Sequence, residues 1–213
     1  MSNSMADKLR TYRILINNSE DPAIATLLLP YGIDADEISR GKQLYSETEA
    51  LFKKQKKEYQ EQELAFDEYT LAKDNVQNMF NKTLKLTKLS SRKDPDLQNR
   101  LKLTTGIAKA IERWIESALA LYDRLENEPA FVATLANRGI TPETLAAENE
   151  AVKNLKVLRD KATAEKGEAQ EATRLRNQKL EELQDYCFEL REIATIAVGN
   201  NSQLLEKLGI IVK

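Results

Sequence analysis

Between Lys42 and Leu89 the chain has neither proline nor glycine, while Tyr45, Phe52, Tyr59 and Phe66 recur every seven residues and Tyr69, Val76 and Phe80 continue the row. Large apolar side chains at seven-residue spacing return to one face of an α-helix every two turns. A sheet needs two-residue alternation bounded by hairpin turns, and no such run occurs. The stretch 35–90 therefore predicts one helix of roughly 55 residues, about 80 Å at the α-helical rise. The stretch 142–198 has the same character. A helical hairpin in each is the alternative, turning near 58–63 and 165–170; Gly167 and the polar run Ala162 to Thr173 favour it in the second stretch.

A shift of 107 positions lays the chain's punctuation on itself. Pro22-Ala23 meets Pro129-Ala130, Gly32-Ile33 meets Gly139-Ile140, and Leu28, Leu51, Leu97 and Leu101 meet Leu135, Leu158, Leu204 and Leu208 without a gap. Apolar positions track as well: Ile38 with Leu145, Val76 with Leu183, Leu86 with Ile193. Turn residues coincide along with apolar ones, so the expectation is a tandem duplication, with repeat 1 over 1–106 and repeat 2 over 107–213, packed as separate domains or as one.

Each repeat reads as helix, short helix, long helix, then the start of the next. Asp21-Pro22 and Glu128-Pro129 open the short element, aspartate suiting the N-cap and proline the first helical position. Gly32 and Gly139 close it. Asp34 with Glu37, and Thr141-Pro142, open the long helices. Asp94-Pro95 caps a further helix, predicted over about 95–126 from Leu97, Leu101, Thr104, Ala108, Ile111, Ile115, Ala118, Tyr122 and Leu125, spaced mostly three and four apart. That helix joins the two repeats, and Gly106 inside it permits a bend at a cost of about 1 kcal/mol relative to alanine.

With 41% apolar and 31% charged residues, and only 7 glycines and 5 prolines in 213 residues, turns are few and elements long. The fold class is all-α: an elongated helical bundle with long coiled-coil-like helices. The chain has no histidine, which excludes Ser–His–Asp and Cys–His arrangements and the Glu-x-x-His di-iron pattern of helical bundles. No Gly-x-Gly pair occurs, so no phosphate or dinucleotide loop is expected. The single cysteine, Cys187, allows neither an internal disulfide nor a multi-cysteine metal site. It stands between Tyr186 and Phe188 at the position Phe80 holds in repeat 1, and reads as a buried thiol. Acids such as Glu61, Glu63, Glu181, Glu182 and Glu189 fall mostly off the apolar row, as on a solvated face. The expectation is no enzyme, no cofactor, no metal and no small-molecule substrate; catalysis through lysine, tyrosine or paired carboxylates is a third reading that no motif marks.

Net charge is −2, without the global basic excess that points to nucleic acid. No apolar run approaches the ~20 residues of a membrane helix. The small, polar Met1 to Asp7 has no basic segment leading into an apolar one, so no secretory signal is read. The expected location is cytoplasmic, and a lone cysteine suits a reducing compartment.

Charge distribution carries the sharpest functional signal. From Asn75 to Lys93 there is no acid, while Lys82, Lys85, Lys88, Arg92 and Lys93 are basic; the matching stretch of repeat 2 holds Glu181, Glu182, Asp185, Glu189 and Glu192. Lys82 aligns with Glu189 and Lys85 with Glu192. Two related faces thus carry opposite sign, which points to complementarity between the repeats or head-to-tail between chains. The expected function is a structural or protein–protein interaction module, with Trp114 and Tyr122 as apolar anchors, equally placed to be core, and Lys82, Lys85, Glu189 and Glu192 as charge selectors. The runner-up is a nucleic-acid or anionic-surface binder through 82–93, a stretch without interleaved aromatics for base stacking.

Overall fold

The computed structural model describes residues 5–210; the first four residues of the polar N-terminal stretch lie outside them. The described residues form α1 (Met5–Asn18), α2 (Pro22–Leu28), a 3-10 turn (Leu29–Tyr31), α3 (Ala35–Ser90), α4 (Pro95–Arg100), α5 (Ile111–Glu126), α6 (Pro129–Ala136), α7 (Pro142–Val198) and α8 (Ser202–Lys207), with no strand among them. The fold is all-α. The 56 residues of α3 and 57 of α7 run without interruption, so neither long stretch turns back as a hairpin.

Helix starts follow local chemistry. Asp21 accepts from the Ala23 N–H at 3.0 Å, Asp34 from Glu37 at 2.9 Å and Asp94 from Leu97 at 2.9 Å, each satisfying a backbone donor that the first turn leaves free. Thr141 and Thr144 cap α7 reciprocally: the Thr141 N–H donates to Thr144 Oγ1 at 2.7 Å and the Thr144 N–H to Thr141 Oγ1 at 3.3 Å. Glu128 does not cap α6; its carboxylate instead takes Arg100 in a fork of 2.6 and 3.2 Å. Gly32 and Gly139 sit at φ +82° and +78°, the left-handed turn that ends each short helix before a long one.

The helix expected over 95–126 is broken. Residues 101–110 lie outside helix, between α4 and α5. Lys102 adopts φ +52°, its N–H bonds to Asn99 O at 3.1 Å and the Leu103 N–H to Gln98 O at 3.0 Å, a left-handed helix stop that throws the chain off axis. Leu101 and Leu103 stay buried through the turn, and so the apolar spacing continues across a break that it does not reveal.

Two compact units divide the chain: unit 1 is drawn from Met1–Tyr59 and Glu168–Lys213, unit 2 from Gln60–Gly167. The division falls inside α3 and α7. Unit 1 packs Leu15 and Ile16 of α1, Ile24 and Leu28 of α2 and Ile38 of α3 against Leu183, Cys187 and Leu190 of α7, with Leu205 of α8. Unit 2 packs Val76 and Phe80 of α3 and Leu97 of α4 against Ile115, Ala118 and Leu125 of α5, with Val132 of α6 and Val152 and Leu155 of α7. The seven-residue aromatic row of α3 is not its buried row throughout: Tyr59 and Phe66 are 49% and 59% exposed. Burial follows Thr48, Glu58 and Ala65 instead over the first part of the helix, where small and polar side chains replace the aromatic ones, and rejoins the row at Val76 and Phe80.

Candidate interaction surfaces

Trp114 and Tyr122, the expected apolar anchors, lie in the core of unit 2, 6% and 1% exposed. Both are on α5 and meet through Phe80 of α3, which stands edge-on to Trp114 at 5.3 Å between ring centroids and to Tyr122 at 6.0 Å. Edge-to-face contact sets the positive rim of one ring against the negative face of another. The Tyr122 hydroxyl donates to Glu148 Oε2 at 3.0 Å, and Thr83 Oγ1 donates to the same oxygen at 2.8 Å. Burial, and then the Glu148 carboxylate, hold the Tyr122 hydroxyl far above its ordinary range. It stays protonated and donates.

Unit 1 has a different polar lock. The Tyr186 hydroxyl of α7 donates to the Glu37 carbonyl at 2.9 Å, and its ring lies directly on Gly41 of α3. A Cβ at Gly41 would stand 2.4 Å from Tyr186 Cε1, closer than real Cβ contacts come, so this glycine makes room for a ring. Arg40 stacks over the same ring at 5.5 Å. Beside it Cys187 is buried, and burial pushes its thiol up to about 12. A thiol so seldom ionised is packing, not a nucleophile.

The four residues expected to be charge selectors are on the surface. Lys82 and Lys85 are exposed on α3 in unit 2, and Glu189 and Glu192 on α7 in unit 1. None of the four enters an ion pair among the described residues. Around the first two stand exposed Asn78, Lys88 and Leu89, and around the second two Asp185, Phe188, Thr195 and Ile196. Leu89 is 47% exposed, Phe188 68% and Ile196 65%. Further along α3, Leu64 and Leu71 are 70% and 67% exposed; with Asn78 and Lys85 they form one row at seven-residue spacing, open to solvent over its whole length.

Sequence reasoning missed Glu148, Gly41 and Tyr186. Glu148 sits three after Leu145 and four before Val152, half-buried beside the buried row of α7, and a carboxylate so placed needs donors. Gly41 is an isolated glycine inside a helical pattern, which signals close packing. Those two placements were the available signals. Among the described residues no helix is long and apolar enough to cross a membrane. The chain matches no family model, and no curated protein or solved structure is significantly similar to it.

Proposed function

We propose that the chain is a duplicated, non-catalytic helical module that works by protein–protein contact. The observation that carries this reading is the open row on α3: Leu64 and Leu71 stand on one face, each more than two-thirds exposed (70% and 67%). Single surface leucines are ordinary; two in register on one face of a helix offer a partner an apolar strip to pack against, and Asn78 and Lys85 continue the line with polar contacts. Support for the duplication comes from element bounds. Moved by 107, Met5–Asn18 falls within Ile111–Glu126, Pro22–Leu28 within Pro129–Ala136, Ala35–Ser90 within Pro142–Val198, and Pro95–Arg100 on Ser202–Lys207. Gly32 and Gly139 keep matching left-handed φ values of +82° and +78°.

The test is the double variant Leu64→Lys with Leu71→Lys, compared with wild type by cross-linking in lysate. Both side chains are on the surface, so the melting curve is expected to stay in place while a defined set of cross-linked proteins is lost. An identical set from both chains, or turnover in a broad substrate screen that Glu148→Gln abolishes, overturns the reading. A second reading draws on the exposed Lys82, Lys85 and Lys88: a phosphate grip by 82–93. It predicts an oligonucleotide mobility shift that falls steeply with salt.

A further inference from the structure

We infer that the partner of the charged faces is a second copy of this chain: the basic face of α3 on one copy, bearing Lys82, Lys85 and Leu89, docks on the acidic face of α7 on another, bearing Glu189, Glu192 and Ile196. The inference rests on the reading of the chain as an interaction module and names its partner.

Three observations carry it. First, all six residues are exposed, and none of the four charges has an ion-pair partner among the described residues, so both faces are free. Elsewhere the chain pairs some surface charges across helices, as in Lys161–Glu68 at 2.9 Å and Lys179–Glu47 at 3.1 Å, whereas these four charges are left for a partner. Second, the spacing is the same on both helices: three residues between the charges and four to the exposed aliphatic residue. Laid parallel, Lys82 meets Glu189, Lys85 meets Glu192 and Leu89 meets Ile196 in one register. Asn78, on the same line of α3, adds no opposing charge to Asp185. Third, signs select the pairing. Basic on basic and acidic on acidic both repel, so each contact sets the basic face of one copy on the acidic face of another. The exposed Leu89 and Ile196, 47% and 65%, give that register an apolar contact that repulsion denies to the like-sign pairings.

The test uses the full chain in sedimentation velocity, with variants Lys82→Glu/Lys85→Glu and Glu189→Lys/Glu192→Lys. The first has two acidic faces and the second two basic ones. Wild type is expected to associate at low ionic strength and to dissociate as salt rises, since exposed charges act within a Debye length of ~10 Å at 0.1 M. Each variant alone is expected to lose association on the order of tenfold or more, two attractions having become two repulsions. An equimolar mixture of the two recovers it, and a chain carrying all four reversals associates as wild type does, because complementarity is restored with the signs exchanged. The inference fails if wild type is monomeric at low salt, if either variant associates as wild type does, or if the mixture does not recover. A monomeric chain that shifts an oligonucleotide through Lys82 and Lys85 also overturns it, in favour of the phosphate grip. Failure here leaves the Leu64/Leu71 comparison standing, because that experiment reads a different part of α3.

Discussion

Alanine in place of glycine inside a helix normally stabilises a protein by about 1 kcal/mol, through lower chain entropy in the unfolded state and better helix propensity. Gly41 and Gly167 are both mid-helix glycines, on α3 and α7, yet opposite outcomes follow from their surroundings. Around Gly167 an added Cβ meets nothing within 4 Å, whereas at Gly41 it would meet Tyr186 Cε1, Cζ and Oη at 2.4 to 2.5 Å. The ring cannot slide freely, being held by the Glu37 carbonyl at 2.9 Å and buried to 4% exposure. Forcing a methyl under it costs about 1–3 kcal/mol of overpacking and a loosened hydrogen bond, against about 1 kcal/mol gained in propensity. Gly41→Ala is expected to destabilise by about 1–2 kcal/mol and Gly167→Ala to stabilise by about 1, read from urea melts followed by far-UV circular dichroism. The tyrosine is the cause, so in a Tyr186→Ala background Gly41→Ala should cost nothing or stabilise, a coupling that the double-mutant cycle isolates. If Gly41→Ala stabilises as Gly167→Ala does, or its cost persists without Tyr186, the packing argument is wrong.

Lys102 holds φ +52° at the stop of α4, where the equivalent stop of α8 has Gly209 at +73°. Lys102→Gly should raise stability by about 0.5–1 kcal/mol in the same melts, the left-handed penalty of a side chain outweighing glycine's entropy. Glu148→Leu leaves the Tyr122 hydroxyl and Thr83 Oγ1 without their acceptor and should cost about 2–3 kcal/mol, while Glu148→Gln, which keeps an acceptor oxygen, should cost clearly less. With the Cys187 thiol raised from an ordinary 9.0 to about 12, the unfolded chain loses this proton first. Stability is therefore full below pH 9 and falls between pH 9 and 12, by at most ~1.4 kcal/mol per pH unit from this group. Cys187→Ser should flatten that slope, and alkylation of native Cys187 at neutral pH should proceed only as fast as unfolding.

The long helices were legible because their signals were redundant: no proline or glycine from Lys42 to Leu89, caps at Asp34 and Thr141, and Gly32 and Gly139 where left-handed backbone ends the preceding element. The break at 101–110 was hidden. Leu97, Leu101, Ile111 and Ile115 keep helical spacing on both sides of it, and its stop falls on a lysine where sequence rules expect glycine. The aromatic row misled at Tyr59 and Phe66, since seven-residue spacing does not decide which adjacent line of a helix is buried when polar residues such as Glu58 occupy the better-packed one. Glu128 looked like a cap because proline follows it, but Arg100, 28 residues away, claims the carboxylate. Of the proposed interaction surface, the opposite signs of 82–93 and 181–192 were readable from the chain; that Lys82, Lys85, Glu189 and Glu192 are exposed and enter no ion pair among the described residues depends on the fold. Trp114 and Tyr122 could not be divided between core and interface by pattern, since both roles use large apolar side chains on one helical face.

Contact between copies through the two charged faces is tested most directly by directed disulfide formation. Chains carrying Leu89→Cys and chains carrying Ile196→Cys are oxidised alone and mixed, with buried Cys187 too little ionised to compete. The account predicts a cross-linked heterodimer that forms quickly in the mixture at low salt, slowly at high salt, and slowly in either chain alone. Equal rates in the mixture and in the separate chains, or no cross-link at low salt, would contradict it.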